Sequence, residues 1–132
     1  MYKILLLLAM IFLHIVDDYY LQGWLASAKQ KSWWQQNAPD ELYKYDYIMA
    51  LFMHGFSWAF MIMIVPTVYA LITTTNIGNT SLAVALVFLM NLCIHMTVDN
   101  AKANLKKINL VQDQLFHLVQ IAATWLCFVV AA

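Results

Sequence analysis

Apolar residues fill four long stretches of this chain, and polar residues are concentrated between them. A stretch of about 20 apolar residues is long enough for a helix to cross the hydrocarbon core of a membrane. The stretches that meet this length cover residues 3–25, 47–72, 82–100 and 110–130. The pattern predicts an all-α polytopic membrane protein, with four transmembrane helices in two antiparallel hairpins and residues 1–132 as a single domain.

Residues 27–46 join the first two stretches and differ from both in composition. Lysines, acids and amides alternate there with tryptophans and tyrosines. Aromatic residues interleaved with charges are typical of segments at the membrane–water interface. The Pro-Asp-Glu sequence at 39–41 resembles the first turn of a helix, so we expect a short surface helix capped by Asn37 or Ala38.

The composition excludes an ordinary soluble domain. Hydrophobic residues make up 64% of the chain and charged residues 11%, against about 45–50% and about 25% in soluble domains. Basic and acidic residues balance at seven each, so we predict no nucleic-acid partner. Cys93 and Cys127 lie in apolar stretches without the spacing of a metal site, so we expect them to be buried and unpaired.

The lysines predict an orientation in the membrane. Six of the seven lie in the connections after the first and third stretches, and only Lys3 lies on the other side. The positive-inside rule then places these connections in the cytoplasm and both termini outside it. The predicted partner is the lipid bilayer, and so small a bundle is compatible with a homodimer.

The third and fourth stretches carry mirror-image pairs of ionisable residues. His95 precedes Asp99 by four residues and Asp113 precedes His117 by four, so each pair shares a helix face. The two histidines and the two aspartates are both centred on Lys106. Antiparallel helices joined there are expected to place histidine beside histidine and aspartate beside aspartate.

The first two stretches extend this arrangement. His14, Asp18 and Gln22 recur at every fourth position, with Asp17 beside them, and His54 lies in the second stretch. All four histidines are expected at one depth in the cytoplasmic half of the membrane. Asp18, Asp99 and Asp113 each lie one helical turn, about 5.4 Å, nearer to the cytoplasm than their histidine, whereas Ala50 takes that position before His54. An ionisable side chain costs about 2.5–3.5 kcal/mol at the centre of a membrane helix, so such a layer indicates a functional site.

Imidazole and carboxylate groups are the ligands that suit a divalent metal ion within a helical bundle. We predict zinc, with manganese or iron as alternatives. The spacing is compatible with one metal ion whose ligands are oriented by the remaining groups, or with two ions. The candidate ligands are His14, Asp18, His54, His95, Asp99, Asp113 and His117.

Hydrolysis is the leading activity for such a site. A metal ion would activate water, an aspartate such as Asp17 or Asp99 would act as the base, and Lys102 would attract a lipid or another anionic substrate. Three alternatives remain open. The layer suits transport of a metal ion or of protons, haem ligation by the histidines, or a structural core of hydrogen bonds between helices.

These residues also carry a resemblance to known proteins. The chain resembles an uncharacterised family of small bacterial and phage integral membrane proteins in three motifs, His14-x3-Asp18, His95-x3-Asp99-x2-Lys102 and Asp113-Gln114-x2-His117. It is also distantly similar to membrane-bound metal-dependent hydrolases, which carry a His-x3-Asp motif within the membrane. The resemblance implies a four-helix layout with a shared polar site, a location in a bacterial inner (plasma) membrane, and hydrolysis as the activity.

Overall fold

The computed structural model describes residues 2–130, and every regular element in that range is a helix. Four helices are long and apolar enough to cross a membrane, as the apolar stretches predicted. π-Helical turns extend α1 over Val16–Leu21 and α6 over Leu126–Val130, and a 3-10 turn covers Glu41–Tyr43. The α-helices are α1 (Tyr2–Ile15), α2 (Leu25–Ala28), α3 (Lys31–Asn37), α4 (Asp46–Thr73), α5 (Ile77–Ala103) and α6 (Leu110–Trp125).

The four long helices pack as a closed bundle. Helix α4 packs most extensively against α5 and also against α1, while α6 contacts both α5 and α1. Gly55 allows the close approach of α4 and α5, because a Cβ atom there would lie 2.8 Å from Met96 Cγ and 3.2 Å from Leu92 Cδ1. The division of the bundle into two hairpins stays a prediction.

The distribution of side chains is the reverse of that in a water-soluble domain. Large apolar side chains cover the outside, including those of Leu5, Phe12, Met49, Phe60, Leu86 and Val119. The interior holds polar side chains, including those of His14, Asp17, His54, Asn91, His95, Asp99, Asp113, His117 and Gln120. Cys93 and Cys127 are exposed on the apolar surface, so the expectation that they would be buried is wrong.

The segment between α1 and α4 departs from the predicted pattern at two points. The first long helix ends at Leu21, and Gly23 adopts a left-handed conformation with φ of +50°, which turns the chain before α2. The expected cap at Asn37 or Ala38 is wrong as well. Asp40 caps the 3-10 turn instead, because its Oδ1 accepts a hydrogen bond from Leu42 N at 2.9 Å.

The two lysine-rich connections lie at the same end of the bundle. The side chain of Asn104, which follows α5, accepts a hydrogen bond from Lys31 N at 2.7 Å and donates one to Lys29 O at 3.1 Å. Asn109 then starts α6 through a capping box with Gln112. We call this end of the bundle, which includes α2, α3 and residues 104–109, the basic end.

Candidate metal centre

The π-helical turn after α1 brings two consecutive carboxylates into the bundle. Asp17 is 1% exposed, and the side chain of Asp18 is also buried. An ordinary α-helix would turn neighbouring residues to different faces, whereas the wider π turn is a local irregularity that is frequent at functional sites. Asp17 Oδ1 accepts a hydrogen bond from Ser57 Oγ at 2.5 Å, and its Oδ2 lies 3.9 Å from His54 Nδ1.

His54 lies at the centre of the buried polar groups. Its Nε2 atom is 3.2 Å from His95 Nε2. The same atom is 3.3 Å from Asp18 Oδ1 and 3.3 Å from Asp99 Oδ2. Because these side chains come from α4, α5 and the π turn after α1, three of the four long helices meet at one atom.

These separations match the spacing of ligands around a tetrahedral metal ion. Zinc–ligand bonds of about 2.0–2.1 Å place tetrahedral ligands about 3.3 Å apart. His54 Nε2 carries at most one proton, so it cannot donate hydrogen bonds to three neighbours at once, whereas a cation could bind all of them. Asp18 Oδ1 is buried and has no hydrogen-bond partner within residues 2–130. The residues present therefore fit a divalent ion, and Asp18, His54 and His95 form one group able to hold it.

A second group of potential ligands adjoins the first and shares His95 with it. It consists of His95, Asp99 and His117. His117 Nε2 lies 3.5 Å from Asp99 Oδ1 and 3.5 Å from Asp113 Oδ1. The rings of His95 and His117 are 4.2 Å apart between centroids, the neighbourhood that the mirror-image spacing predicted. Asp99 thus presents one carboxylate oxygen to each group.

The protonation of His117 follows from its hydrogen bonds. Gln120 Nε2 donates to the backbone carbonyl of Asn91 at 3.2 Å, which leaves Gln120 Oε1 to face His117 Nδ1 at 3.4 Å. Because that oxygen can only accept, Nδ1 must carry a proton. In the neutral ring, Nε2 is then an unprotonated nitrogen directed at two carboxylates. Its lone pair repels the carboxylate oxygens, and a cation between the nitrogen and these oxygens would remove that repulsion.

His14 has the opposite tautomer and has no free nitrogen for a metal ion. The indole of Trp58 donates to His14 Nδ1 at 2.7 Å, and an indole N–H can only donate. His14 Nε2 therefore carries the proton and donates to Gln114 Oε1 at 3.1 Å. The amide nitrogen of Gln114 donates in turn to Asp18 Oδ2 at 3.2 Å and to Asp113 Oδ2 at 3.1 Å. His14 therefore orients two carboxylates through Gln114.

Two lysines partly balance the charge of these carboxylates. Lys29, just after α2, is buried, and its Nζ lies 2.6 Å from Asp99 Oδ2. Lys102 Nζ lies 2.7 Å from Asp113 Oδ2. Since the buried layer also contains Asp17 and Asp18, neutral imidazoles would leave it with two unbalanced negative charges. One divalent cation would neutralise the layer, whereas two would make it positive.

A polar cavity connects this layer with the basic end. Its volume is about 310 Å³, and its walls include the side chains of Asp18, Lys29, Asp99, Lys102, Lys106 and Gln114. Asp17 is not part of its lining, because it lies behind His54 against Ser57. A molecule entering from the basic end would therefore reach Asp18 and Asp99.

The polar layer ends on its other side at Thr124, which accepts a hydrogen bond from Asn91 Nδ2 at 2.9 Å. The core beyond it, within the described residues, is built from Met10, Ile62, Met63, Phe128 and Val129. This apolar core does not favour a transport path through the bundle. Haem is not favoured either, because the imidazole rings pack with centroids 4.2 to 5.7 Å apart, which leaves no space between those pairs for a porphyrin.

Most of the predicted site residues are thus brought together in one layer, with Lys102 at its edge. Of the predicted ligands, His14 and Asp113 belong to neither ligand group, and the predicted base Asp17 lies outside both groups too. Four further contributors were not predicted as site residues. Gln114, Trp58 and Gln120 were recognisable by position, since each is adjacent to, or three or four residues from, a predicted ligand on its own helix. Lys29 gave no such signal, because it lies in an irregular segment.

The fold and the site define a class: an all-helical protein with four potential membrane-crossing helices around buried His/Asp groups able to hold a metal ion. Comparisons with family models, curated proteins and solved structures found no match to this chain. The function is therefore inferred from the geometry of the layer.

Proposed function

We propose that this chain is an integral protein of the bacterial inner membrane that holds one zinc ion near the cytoplasmic face and acts as a metal-dependent hydrolase on a lipid or another anionic substrate. The observation that carries the proposal is the arrangement around His54 Nε2, with three potential ligand atoms at 3.2 to 3.3 Å. The proposed ligands are Asp18, His54 and His95, which leave the fourth tetrahedral position open for water. Manganese and iron remain alternatives to zinc.

The outer surface and the lysines support this location. The apolar side chains that cover the long helices suit contact with lipid, and the interior carries the polar groups. The positive-inside rule places the basic end in the cytoplasm, with both termini outside. The proposal includes a similarity to membrane-bound metal-dependent hydrolases. It also includes the formation of a homodimer.

Each residue near the layer has a separate role in the proposed hydrolysis. When bound, the metal ion would supply a water whose pKa is lowered to about 7. Asp99, which lines the cavity beside these ligands, would accept a proton from the attacking water and return it to the oxygen of the departing group. Asp17 would orient the His54 ring, and Lys102 would keep Asp113 ionised beside His117.

Metal analysis of the purified protein tests the proposal directly. The wild-type protein, loaded with zinc and freed of excess by gel filtration, is expected to retain about one ion per chain. His54→Ala removes the nitrogen at the centre of the arrangement and is expected to abolish retention. Mass spectrometry of the eluted metal measures both.

His14→Ala is the matched control, because it removes an equally buried imidazole that has no free nitrogen. It is expected to retain zinc with an affinity about 10- to 100-fold weaker, since Gln114 loses its orientation. Equal and complete loss in both variants would contradict the proposed ligand set. No retention by the wild-type protein would leave a hydrogen-bonded scaffold as the function of the layer.

A further inference from the structure

Two cavities of different chemistry meet at Tyr19 and Gln114. The first is the polar cavity of the basic end, which includes Lys106 and reaches Asp18. The second is a groove of about 590 Å³ between α1 and α6, lined mainly by apolar side chains, with His14 among its walls. The apolar contributors to this groove include Ile11, Ile15 and Leu118.

We propose that the two cavities form one binding site for an anionic phospholipid, which enters sideways from the bilayer. Its phosphate-bearing head group occupies the polar cavity, and one acyl chain occupies the groove, which we call the α1–α6 groove. This inference rests on the proposed function, because it names the substrate class for the same site.

Lys106 supplies the charge that selects an anionic head group. Lys29 and Lys102 also line the cavity, but each already pairs with an aspartate. Lys106 is exposed, and no ion pair involves it within the described part of the chain. Its backbone is left-handed, with φ of +54°, at the turn that separates α5 from α6. A phosphate in the cavity would therefore find an ammonium group without a competing carboxylate.

The level of the cavity in the bundle suits a lipid head group. Tyr19 and Tyr20, which line the α1–α6 groove, are 58% and 78% exposed. Exposed tyrosines beside lysines mark the interface between the hydrocarbon core and water. A lipid with its phosphate beside Lys106 would extend its chain along the groove into the hydrocarbon region. Its ester bonds would then lie beside Asp18 and Asp99, which form part of the cavity wall.

A second groove provides an internal control. It lies between α4 and α5, has a volume of about 480 Å³, and is lined by apolar side chains and two hydroxyls, with Phe60, Val84 and Phe88 among them. It is large enough for an acyl chain, but its lining contains no lysine. Lipid in this groove should therefore show no preference for head-group charge.

Photo-crosslinking in nanodiscs tests the proposal. The probes are phosphatidylglycerol and phosphatidylcholine that carry the same diazirine-labelled acyl chain, diluted into phosphatidylcholine. Peptide mapping of the wild-type protein is expected to show labelling of the α1–α6 groove by the anionic probe in clear excess over the zwitterionic one. Both probes should label the α4–α5 groove equally.

Two pairs of variants locate the site. Lys106→Gln is expected to weaken anionic labelling of the α1–α6 groove about fivefold, whereas Lys107→Gln, the same charge change outside the cavity, should leave it unchanged. Leu118→Trp fills the α1–α6 groove and should block labelling there. Val84→Trp fills the other groove and should block labelling only there.

Equal labelling by both probes in the α1–α6 groove, or equal effects of Lys106→Gln and Lys107→Gln, would overturn the lipid site. The experiment is run with and without a chelator, because the lipid contacts do not involve the metal ion. Selective labelling without zinc retention would support the lipid site while the hydrolase proposal fails. Zinc retention without selective labelling would leave the hydrolase proposal intact and remove this substrate.

Discussion

His14 and His117 carry their proton on different ring nitrogens. In each case the tautomer is set by a neighbouring group that can only donate or only accept a hydrogen bond. Trp58 can only donate, so His14 keeps its proton on Nε2. The carbonyl of Asn91 can only accept, so Gln120 turns its oxygen to His117 and holds the proton on Nδ1. One ring is therefore fully occupied by hydrogen bonds, while the other, in its neutral form, presents an unprotonated nitrogen to the site.

Trp58→Phe tests the first of these assignments. The change leaves His14 Nδ1 without its donor, so the free energy of unfolding is expected to fall by about 1–3 kcal/mol. The His14 ring is also released from its tautomer. Nitrogen-15 NMR of labelled histidine would show the His14 Nδ1 signal leaving the position of an unprotonated, hydrogen-bonded nitrogen.

Trp125→Phe is the control for this variant, because the Trp125 indole donates to Lys3 O at 2.8 Å, far from the imidazoles along the bundle. It should cost a comparable amount of stability and leave all four histidine spectra unchanged. Identical histidine spectra in the wild-type protein and in Trp58→Phe would show that the indole does not set the tautomer.

The sequence predicted that the His/Asp pairs of α5 and α6 would lie together, and it did not predict that both nitrogens of His14 would be occupied by hydrogen bonds. The mirror-image spacing about Lys106 is a local property, since two helices joined by a short turn must face each other. The role of His14 depends on Trp58, which is 44 residues away. Spacing within a helix cannot show which side chain of another helix approaches a given nitrogen.

At the scale of helices, two irregularities position the site. The π turn over Val16–Leu21 admits Asp17 and Asp18 together, which the regular stripe of His14, Asp18 and Gln22 did not predict. Gly55, next to His54, lets α4 approach α5 so that the rings of His54 and His95 lie 5.0 Å apart between centroids. The pattern of apolar residues predicted these helices. It does not show where a helical turn widens or how closely two helices approach.

Gly55→Ala is expected to separate α4 from α5. The added Cβ would lie 2.8 Å from Met96 Cγ and 3.7 Å from His95 Cδ2, and relieving the contact moves one helix away. Overpacking of this kind costs about 1–3 kcal/mol of stability. We expect thermal unfolding at a lower temperature and weaker zinc retention.

Gly78→Ala is the matched substitution in α5, where the new Cβ meets only Asn76 Oδ1 at 3.8 Å. It should leave both measurements close to those of the wild-type protein. A Gly55→Ala protein with unaltered stability and zinc retention would show that the two helices do not need this close approach.

At the scale of the whole molecule, the charged groups other than Lys3 divide between the basic end and one buried layer. The lysine pattern predicted the first, and the structure places both lysine-rich connections together through Asn104. Burial of Lys29 was not predictable, because it lies between two short helices, α2 and α3, that follow the turn at Gly23. The result is a bundle with its charged groups, apart from Lys3, near one end and apolar side chains at the core of the other.

The orientation of the bundle can be measured with single cysteines. In a background where Cys93 and Cys127 are replaced by serine, Asn79→Cys should react with a membrane-impermeant maleimide in cells whose outer membrane is permeabilised. Lys107→Cys should react only after the inner membrane is disrupted, since the proposed orientation places the basic end in the cytoplasm. The reverse pattern of labelling would place the site at the other face of the membrane.

The distribution of the buried polar groups over all the long helices has a consequence for biogenesis. In a chain that inserts as it is synthesised, Asp17 and Asp18 would reach the translocon before α4 and α6 exist, when Ser57, His54 and Gln114, which contact these carboxylates, are still unsynthesised. Each unpaired carboxylate would then oppose insertion of α1, by less than the about 2.5–3.5 kcal/mol that applies at mid-helix, because both lie near the end of the span Tyr2–Leu21. The apolar residues at the start of α1 must outweigh that cost alone, or α1 must wait at the translocon for the later helices.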